Sequence, residues 1–304
     1  MDSISLLVSL NQTYLPQLQV LLTSLSWNNP GEHFDLYLLH SGIPTEALVP
    51  VTRQCLHLGY RLYPILMEEA LFADAPTTKQ YPREMYYRLL AGAVLPRRLS
   101  RILYLDPDIL VINSLRPLWE TDLGTCLFAA AAHTGKTELA NNVNRIRLGT
   151  NHDYYNSGVL LMNLEECRRS VTAEQIFRYV EAHGKEMVLP DQDILNALYG
   201  ERILPLEDAV WNYDARNYNT YRLASGGRCD LNWVLHNTAI LHFCGRAKPW
   251  KPGYFYRFGV LYLHYAHVTS RYFSTPDGPE QNSLPSFFHI DNGVEAPSSH
   301  RLRS

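Results

Sequence analysis

The sequence is short of paired cysteine: Cys55, Cys126, Cys167, Cys229 and Cys244 are odd in number, scattered, and never in a Cys-x-x-Cys pair. That argues against a disulfide framework or a thiolate zinc site and fits a reducing cytoplasm. An excess of either charge is also missing. The 27 Lys and Arg against 30 Asp and Glu leave a formal −3, too little positive charge to wrap a nucleic acid or coat an anionic membrane. No apolar stretch approaches the length of a membrane span. Asp2 stands where a secretory signal would carry Lys or Arg, and the first apolar run is broken at Asn11 and Gln12. Glycine and proline, 17 and 18 residues, are too few for a collagenous or low-complexity chain. What remains is globular: 46% hydrophobic and 19% charged residues over 304 positions. At roughly 150 residues per domain that is one large α/β domain or two small ones. Twenty tyrosines suit core packing and also surfaces that stack on and hydrogen-bond sugars.

Hydrophobic spacing orders the chain. Ser5 to Leu10 reads as a strand, followed by a polar turn at Asn11–Thr13 and by leucines at helical spacing to Trp27. Phe34–His40 and Arg61–Ile65 read as strands around a helix Thr45–Leu58, in which Pro50 leaves both the full length and a shortened form open. Helix Arg83–Leu95 precedes strand Arg101–Leu105, which runs directly into Asp106-Pro107-Asp108. Further strands are expected at Cys126–Ala132, Ser157–Met162 and Ala239–Phe243, and helices at Ala173–His183, Gln192–Leu198 and Phe258–Thr269. Alternation of strand and helix implies a parallel sheet covered on both faces. Ligands bind beyond the carboxyl ends of such strands, which points to the Asn11 turn and to Asp106 as nucleotide contacts. After Gly200 the pattern loosens, and from Ser274 Pro, Ser and Gly suggest a poorly ordered tail. The expected organisation is one domain over residues 1–273 and a tail over 274–304.

Asp106 and Asp108 are two apart in a stretch that Pro107 keeps out of helix, so extended chain would aim both carboxylates to one side. An Asp-x-Asp pair is a hard oxygen site for Mn²⁺ or Mg²⁺, leaving positions for substrate phosphates. It is equally an ordinary polar turn closing a strand. The apolar flanks Tyr104-Leu105 and Ile109-Leu110-Val111 favour the site, since buried neighbours do not call for two acids. His242, after Ile240-Leu241, fits a structural histidine or a third metal ligand, and Gly245 and Lys248 beyond it suit a diphosphate. Asp191, Gln192 and Asp193 open a helix, where one acid can serve as a cap and the group could contact sugar hydroxyls. Asn156, in Tyr155-Asn156-Ser157-Gly158, lies at an element boundary.

Together these segments resemble glycosyltransferase family 8, and within it the retaining bacterial lipooligosaccharide α-galactosyltransferases and related general-stress-type enzymes. The likeness runs from about Ser5 to Trp250. It rests on Tyr104 to Val111, Tyr155 to Val159, Asp191 to Asn196, and His242-Phe243-Cys244-Gly245 with Lys248-Pro249-Trp250. The resemblance implies a GT-A fold, Rossmann-like with a mostly parallel central sheet, binding a UDP-sugar. Asp106, Asp108 and His242 match the ligands of Mn²⁺. Gly245 and Lys248 match diphosphate contacts, and the N-terminal turn with Ser9, Asn11 and Tyr14 would hold the uridine. Arg88 matches an arginine on donor phosphate or sugar, while Asn156, Asp191 and Gln192 surround the transferred sugar. The chain departs from the family at Asn11 and Gln12, where consecutive acids are common, and at His133, where the galactosyltransferase has an acid.

The implied function is transfer of galactose or glucose from UDP to a saccharide or glycolipid hydroxyl with retention. Gln192, a weak nucleophile, favours same-face attack over a covalent intermediate, Gln192 and Asp191 stabilising the oxocarbenium-like state. Two other readings stay open: a glycogenin-like enzyme that glucosylates its own tyrosines, and a UDP-sugar-binding protein without transfer. The basic end His300–Arg303 is a weak invitation to peripheral membrane contact, and a nucleic-acid partner is not expected.

Overall fold

The computed structural model describes residues 2–67, 84–132 and 138–273; the expected tail 274–304, with His300–Arg303, and His133 lie outside them. Strands β1 (Ile4–Ser9), β2 (Phe34–His40), β3 (Arg61–Leu66), β4 (Arg101–Leu105), β6 (Phe128–Ala131), β7 (Val159–Asn163) and β8 (Ile203–Leu206) form one sheet in the order β3-β2-β1-β4-β7-β6-β8. Four of its six pairings are parallel; β7 runs antiparallel to both neighbours, β4 and β6. The strands are apolar at consecutive positions because both faces are covered. Leu7, Ile102 and Tyr104 enter one buried cluster, whereas Leu6, Val8, Leu103 and Leu105 enter the other, as two-residue alternation requires. Each edge strand carries a proline, Pro64 in β3 and Pro205 in β8. Proline is tolerated at an edge because no outer ladder bond is lost there, and it blunts pairing with another chain.

A second sheet sets the site. After Asp106-Pro107-Asp108 the chain enters β5 (Ile109–Val111), which pairs antiparallel with β10 (Ile240–His242); β10 in turn pairs parallel with β9 (Tyr213–Asp214). The Asp-Pro-Asp stretch is therefore a turn between two sheets, not the extended chain expected from sequence. The helix Gly259–Phe273 packs its Tyr262 and Tyr265 with Phe243 and Leu241 into a third buried cluster behind this sheet.

One open helix reading is settled and one expectation changes. Helix Thr45–His57 keeps its length with Pro50 inside it. The expected helix Arg83–Leu95 is divided into Glu84–Tyr87 and Ala91–Val94; Arg83 itself lies outside the described residues. The break coincides with Arg88, whose guanidinium is tied to Ser157 O and to carboxylates across the fold. Periodicity cannot anticipate such tertiary ties. Among the described residues no helix is long and apolar enough to cross a membrane, and all five cysteines are unpaired.

Candidate active site

β1 and β4 are parallel neighbours, so the turn after Ser9 and the turn after Leu105 emerge side by side at the carboxyl end of the sheet. Between them opens a cavity of about 490 Å³ lined by Ser9, Leu10, Asn11, Tyr14, Arg88, Asp106, Pro107 and Asp108. The Ser9 hydroxyl is buried there without a hydrogen-bond partner. Asn11 is less available than its exposure suggests, because its Oδ1 accepts from Thr13 N–H at 3.0 Å and caps the short 3-10 turn Gln12–Tyr14. A second cavity of about 440 Å³ is lined by Asn156, Asp191, Gln192, His242, Gly245 and other groups, and shares Arg88, Asp106 and Asp108 with the first.

The shared wall is a charged cluster. Phe243 N–H donates to Asp108 O at 3.0 Å, extending the β5–β10 pairing and bringing His242 against the acids. Ligand atoms of Asp106, Asp108 and His242 all lie within 4.8 Å of one another. His242 Nε2 is 3.3 Å from Asp108 Oδ1 and 3.8 Å from Asp106 Oδ2, while Nδ1 is 2.9 Å from Asn212 Oδ1. Two carboxylates and an imidazole nitrogen on one small volume fit a divalent cation with mixed oxygen and nitrogen preference. A protein cation also faces the acids: Lys248 Nζ donates to Asp108 and, at 2.9 Å, to Phe243 O. Burial works against an ionised Asp108, yet His242 and Lys248 outweigh it and hold the carboxyl well below its usual range. Burial likewise disfavours the His242 imidazolium, but Cys244 and Asp108 raise it well above its usual value.

Arg88 ties the cluster to the residues of the second cavity. Its Nη1 is 3.0 Å from Asp106 Oδ1, 3.2 Å from Asp191 Oδ2 and 3.1 Å from Ser157 O, and its plane lies over the Tyr104 ring at 4.5 Å. Burial opposes its charge, but Asp106, Tyr104 and Asp191 keep it cationic with a raised value. Tyr104 O–H donates to Asp106 Oδ1 at 2.6 Å, and Ser157 O–H to Asp191 Oδ2 at 2.7 Å. Asp106 N–H donates to Gly158 O at 2.8 Å, continuing the β4–β7 ladder and seating Asn156, Ser157 and Gly158 beside the acids. Asn156 Nδ2 donates to Gln192 Oε1 at 3.0 Å.

Most sequence-selected residues meet here, with three differences. Asp193 has no part in the cavity: fully buried, it accepts from Arg147, from Tyr154 O–H and from the N–H groups of Val188 and Leu189. It is the fastener of helix Pro190–Tyr199, while Asp191 and Gln192 face the site. Lys248 is engaged by Asp108 and lines neither cavity. Gly245, at φ +81°, leaves room for Arg216, since a Cβ there would sit 2.2 Å from Arg216 Nη1. Arg216, gripped by Asp214, and Asn212 were not visible from sequence; nothing in Trp211-Asn212-Tyr213 distinguishes it from a turn. Asp193→Ala would strand a half-buried guanidinium, a buried phenol and two N–H groups. A loss of about 3–5 kcal/mol is expected, read in a chain of this size as a drop in Tm of roughly 5–8 °C; an unchanged Tm would remove Asp193 from this role.

The family model described as glycosyl transferase family 8 matches residues 5–252. General stress protein A of Bacillus subtilis (strain 168) is 27% identical over 241 residues, 77% of this chain and 82% of that protein. A lipopolysaccharide 1,2-glucosyltransferase of Escherichia coli is 25% identical over 256 residues, 79% of this chain and 71% of that one. The crystal structure of galactosyltransferase LgtC with donor and acceptor sugar analogues superposes with a TM-score of 0.71 at 24% identity, covering 87% of this chain and 96% of that one.

Proposed function

Because the chain belongs to glycosyl transferase family 8 and has a GT-A fold, we propose that its two joined cavities hold a UDP-hexose and that it transfers galactose or glucose to an acceptor hydroxyl with retention. The observation that carries this reading is the shared wall. A nucleoside-sized cavity at the end of β1 and a polar cavity lined by Asn156, Asp191 and Gln192 meet at Arg88, Asp106 and Asp108, where a diphosphate between nucleoside and sugar belongs. Ser9, Asn11 and Tyr14 line the uridine side; Gly245 lines the other cavity beside Arg216, next to the diphosphate, and Lys248 acts on the diphosphate site from behind, through its bond to Asp108.

Asp106, Asp108 and His242 would hold the cation, Mn²⁺ or Mg²⁺, which when bound supplies a Lewis acid for the charge growing on the leaving UDP. Arg88, fixed between Asp106 and Asp191, adds a permanent positive charge beside that leaving group. Retention is what the family likeness implies, and the poverty of nucleophiles favours same-face attack over a covalent intermediate as its route. Gln192 carries a neutral amide, and Asp191 Oδ2 already accepts from Ser157 and faces Arg88. The bond from the anomeric carbon to the β-phosphate oxygen breaks, the acceptor oxygen forms its bond on the same face, and its proton passes to the departing phosphate. Gln192 and Asp191 stabilise the cationic sugar between the two events. A glycosyl adduct trapped on Asp191 would overturn this mechanism.

The acceptor is a saccharide or glycolipid. Exposed Val143 and Ile146 stand on the helix that brings Asn144 to the cavity, and Val188 stands beside Leu189 on its rim, which suits an acceptor on an amphiphilic carrier. The name of the Escherichia coli relative makes lipopolysaccharide-type glycans the first acceptors to assay. Five unpaired thiols support a cytoplasmic location. The test is UDP release from UDP-galactose and UDP-glucose with such acceptors, with the anomeric configuration of product read by NMR; inversion would refute the mechanism. Intact mass after incubation with UDP-glucose alone is expected to stay unchanged, whereas a ladder of hexoses would make the protein its own acceptor.

A further inference from the structure

Behind the cluster runs a chain of side-chain amides. His242 Nδ1 meets Asn212 Oδ1 at 2.9 Å, Asn212 Nδ2 meets Asn156 Oδ1 at 2.9 Å, and Asn156 Nδ2 meets Gln192 Oε1 at 3.0 Å. Each amide has two ends that could be exchanged, so the direction of such a chain needs an anchor. The anchor is Gly158 N–H, which lies 2.9 Å from the same Asn156 Oδ1. A backbone N–H can only donate, so the atom facing it is an oxygen. The nitrogen of Asn156 then faces Gln192, whose facing atom must be Oε1. On the other side, the group donating to Asn156 Oδ1 must be Asn212 Nδ2, which turns Asn212 Oδ1 toward the imidazole and requires the proton on His242 Nδ1. Asn212 is fully buried and lines neither cavity.

We propose that Asn212 and Asn156 are positioning residues in a one-way amide relay, polarised by Gly158 N–H. At one end the relay fixes His242 with Nε2 toward the two carboxylates; at the other it fixes which end of the Gln192 amide meets the sugar. The proposal rests on the reading of Gln192 as a residue beside the transferred hexose. With Oε1 held by Asn156, the NH₂ group is the end that Gln192 offers to the cavity, as a donor to a sugar hydroxyl; Gln192 then acts on the cationic sugar by holding its hydroxyls in place, while the negative charge beside it comes from Asp191. Reversing the amide puts an acceptor in that place and loses the bond. The relay makes the metal end and the sugar end products of one hydrogen-bond direction.

The experiment measures Mn²⁺ affinity of the full chain without substrate, and kcat and donor KM with UDP-hexose, for Asn212→Ala, Asn212→Asp and Asn156→Asp, alone and with Gln192→Ala. Asn212→Ala removes the acceptor of His242 Nδ1–H, and a 10- to 100-fold weaker Mn²⁺ affinity is expected, the usual loss when a ligand's outer partner is deleted. Asn212→Asp keeps that acceptor but cannot donate to Asn156. Its Mn²⁺ affinity should stay within about 3-fold while kcat falls roughly 10-fold or more at nearly constant KM, and the fall should vanish when Gln192 is already Ala. Asn156→Asp, which still accepts from Gly158 and Asn212, should repeat the kcat pattern, and it serves if the Asn212 variants do not fold. Wild-type kcat in the Asp variants, or a loss that persists undiminished in the Gln192→Ala background, overturns the relay. So does wild-type Mn²⁺ affinity in Asn212→Ala. If the wild-type chain transfers no hexose, the proposed function fails, while the relay is still judged by the Mn²⁺ affinities of Asn212→Ala against Asn212→Asp.

Discussion

Asp108→Asn is expected to lower kcat roughly a thousandfold, about 4 kcal/mol of transition-state stabilisation, and to abolish saturable Mn²⁺ binding. The side chain keeps its shape and loses its charge, in a place where that charge faces three partners: Lys248, His242 and the proposed cation. One carboxylate and an imidazole would remain, a donor set that holds Mn²⁺ poorly against water. Folding also suffers, because two buried cations lose their anion, at a cost of roughly 3–5 kcal/mol. The pH dependence separates this effect from catalysis. Asp108 is depressed on folding, so its contribution is complete above its ordinary value of 3.8 and is lost as pH falls through the folded value. His242 is raised on folding, so its contribution is complete below 6.5 and is lost as pH rises through the folded value. In EDTA, the Tm advantage of the wild type over Asp108→Asn should therefore be largest between about pH 4 and 6.5. Near-normal kcat in the variant would remove Asp108 from the metal site.

Gly158→Ala is the second large effect. A Cβ at this position would lie 2.3 Å from His242 Cε1, 2.6 Å from Asp106 Oδ2 and 3.0 Å from Asn156 Oδ1. None of these is a loose end: His242 is held by Asn212, Asp106 by Tyr104 and Arg88, and Asn156 by Gly158 N–H and Asn212. One methyl group would therefore push two of the proposed cation ligands and the proposed relay apart together. A misplacement of about 1 Å costs on the order of a hundredfold in rate, and with two ligands displaced kcat should fall 10²- to 10³-fold. Overpacking costs stability by only about 1–3 kcal/mol, so the variant should fold, with circular dichroism unchanged and Mn²⁺ affinity reduced at least tenfold. Wild-type affinity and rate would mean that the close packing around Gly158 is not needed by the site.

Much of the fold could be read from residues because its strands are buried on both faces and its first helices follow directly on them. β1, β2, β3 and β4 fall within a residue of where their apolar runs end. Between Gly200 and Ala239 the pattern loosens for an opposite reason: β8 holds four residues and β9 two, and short elements carry too few periods to register. The Asp-Pro-Asp turn announced itself by charge among apolar neighbours, but the meeting of His242 with it depends on β5 pairing with β10, more than 120 residues apart. Asp193 could have been separated from Asp191 by geometry alone, since positions two apart on a helix are about 200° apart around its axis. Asn212 gave no signal, because its importance lies in what its two ends touch.

The most direct measurement is calorimetric titration of UDP into the full chain, once with Mn²⁺ and once with EDTA. One-to-one binding that requires Mn²⁺ is expected, with Asp108→Asn behaving in Mn²⁺ as the wild type does in EDTA. Equal binding in both conditions would take the cation out of the donor site, and no binding in either would contradict the assignment of the joined cavities to a UDP-sugar.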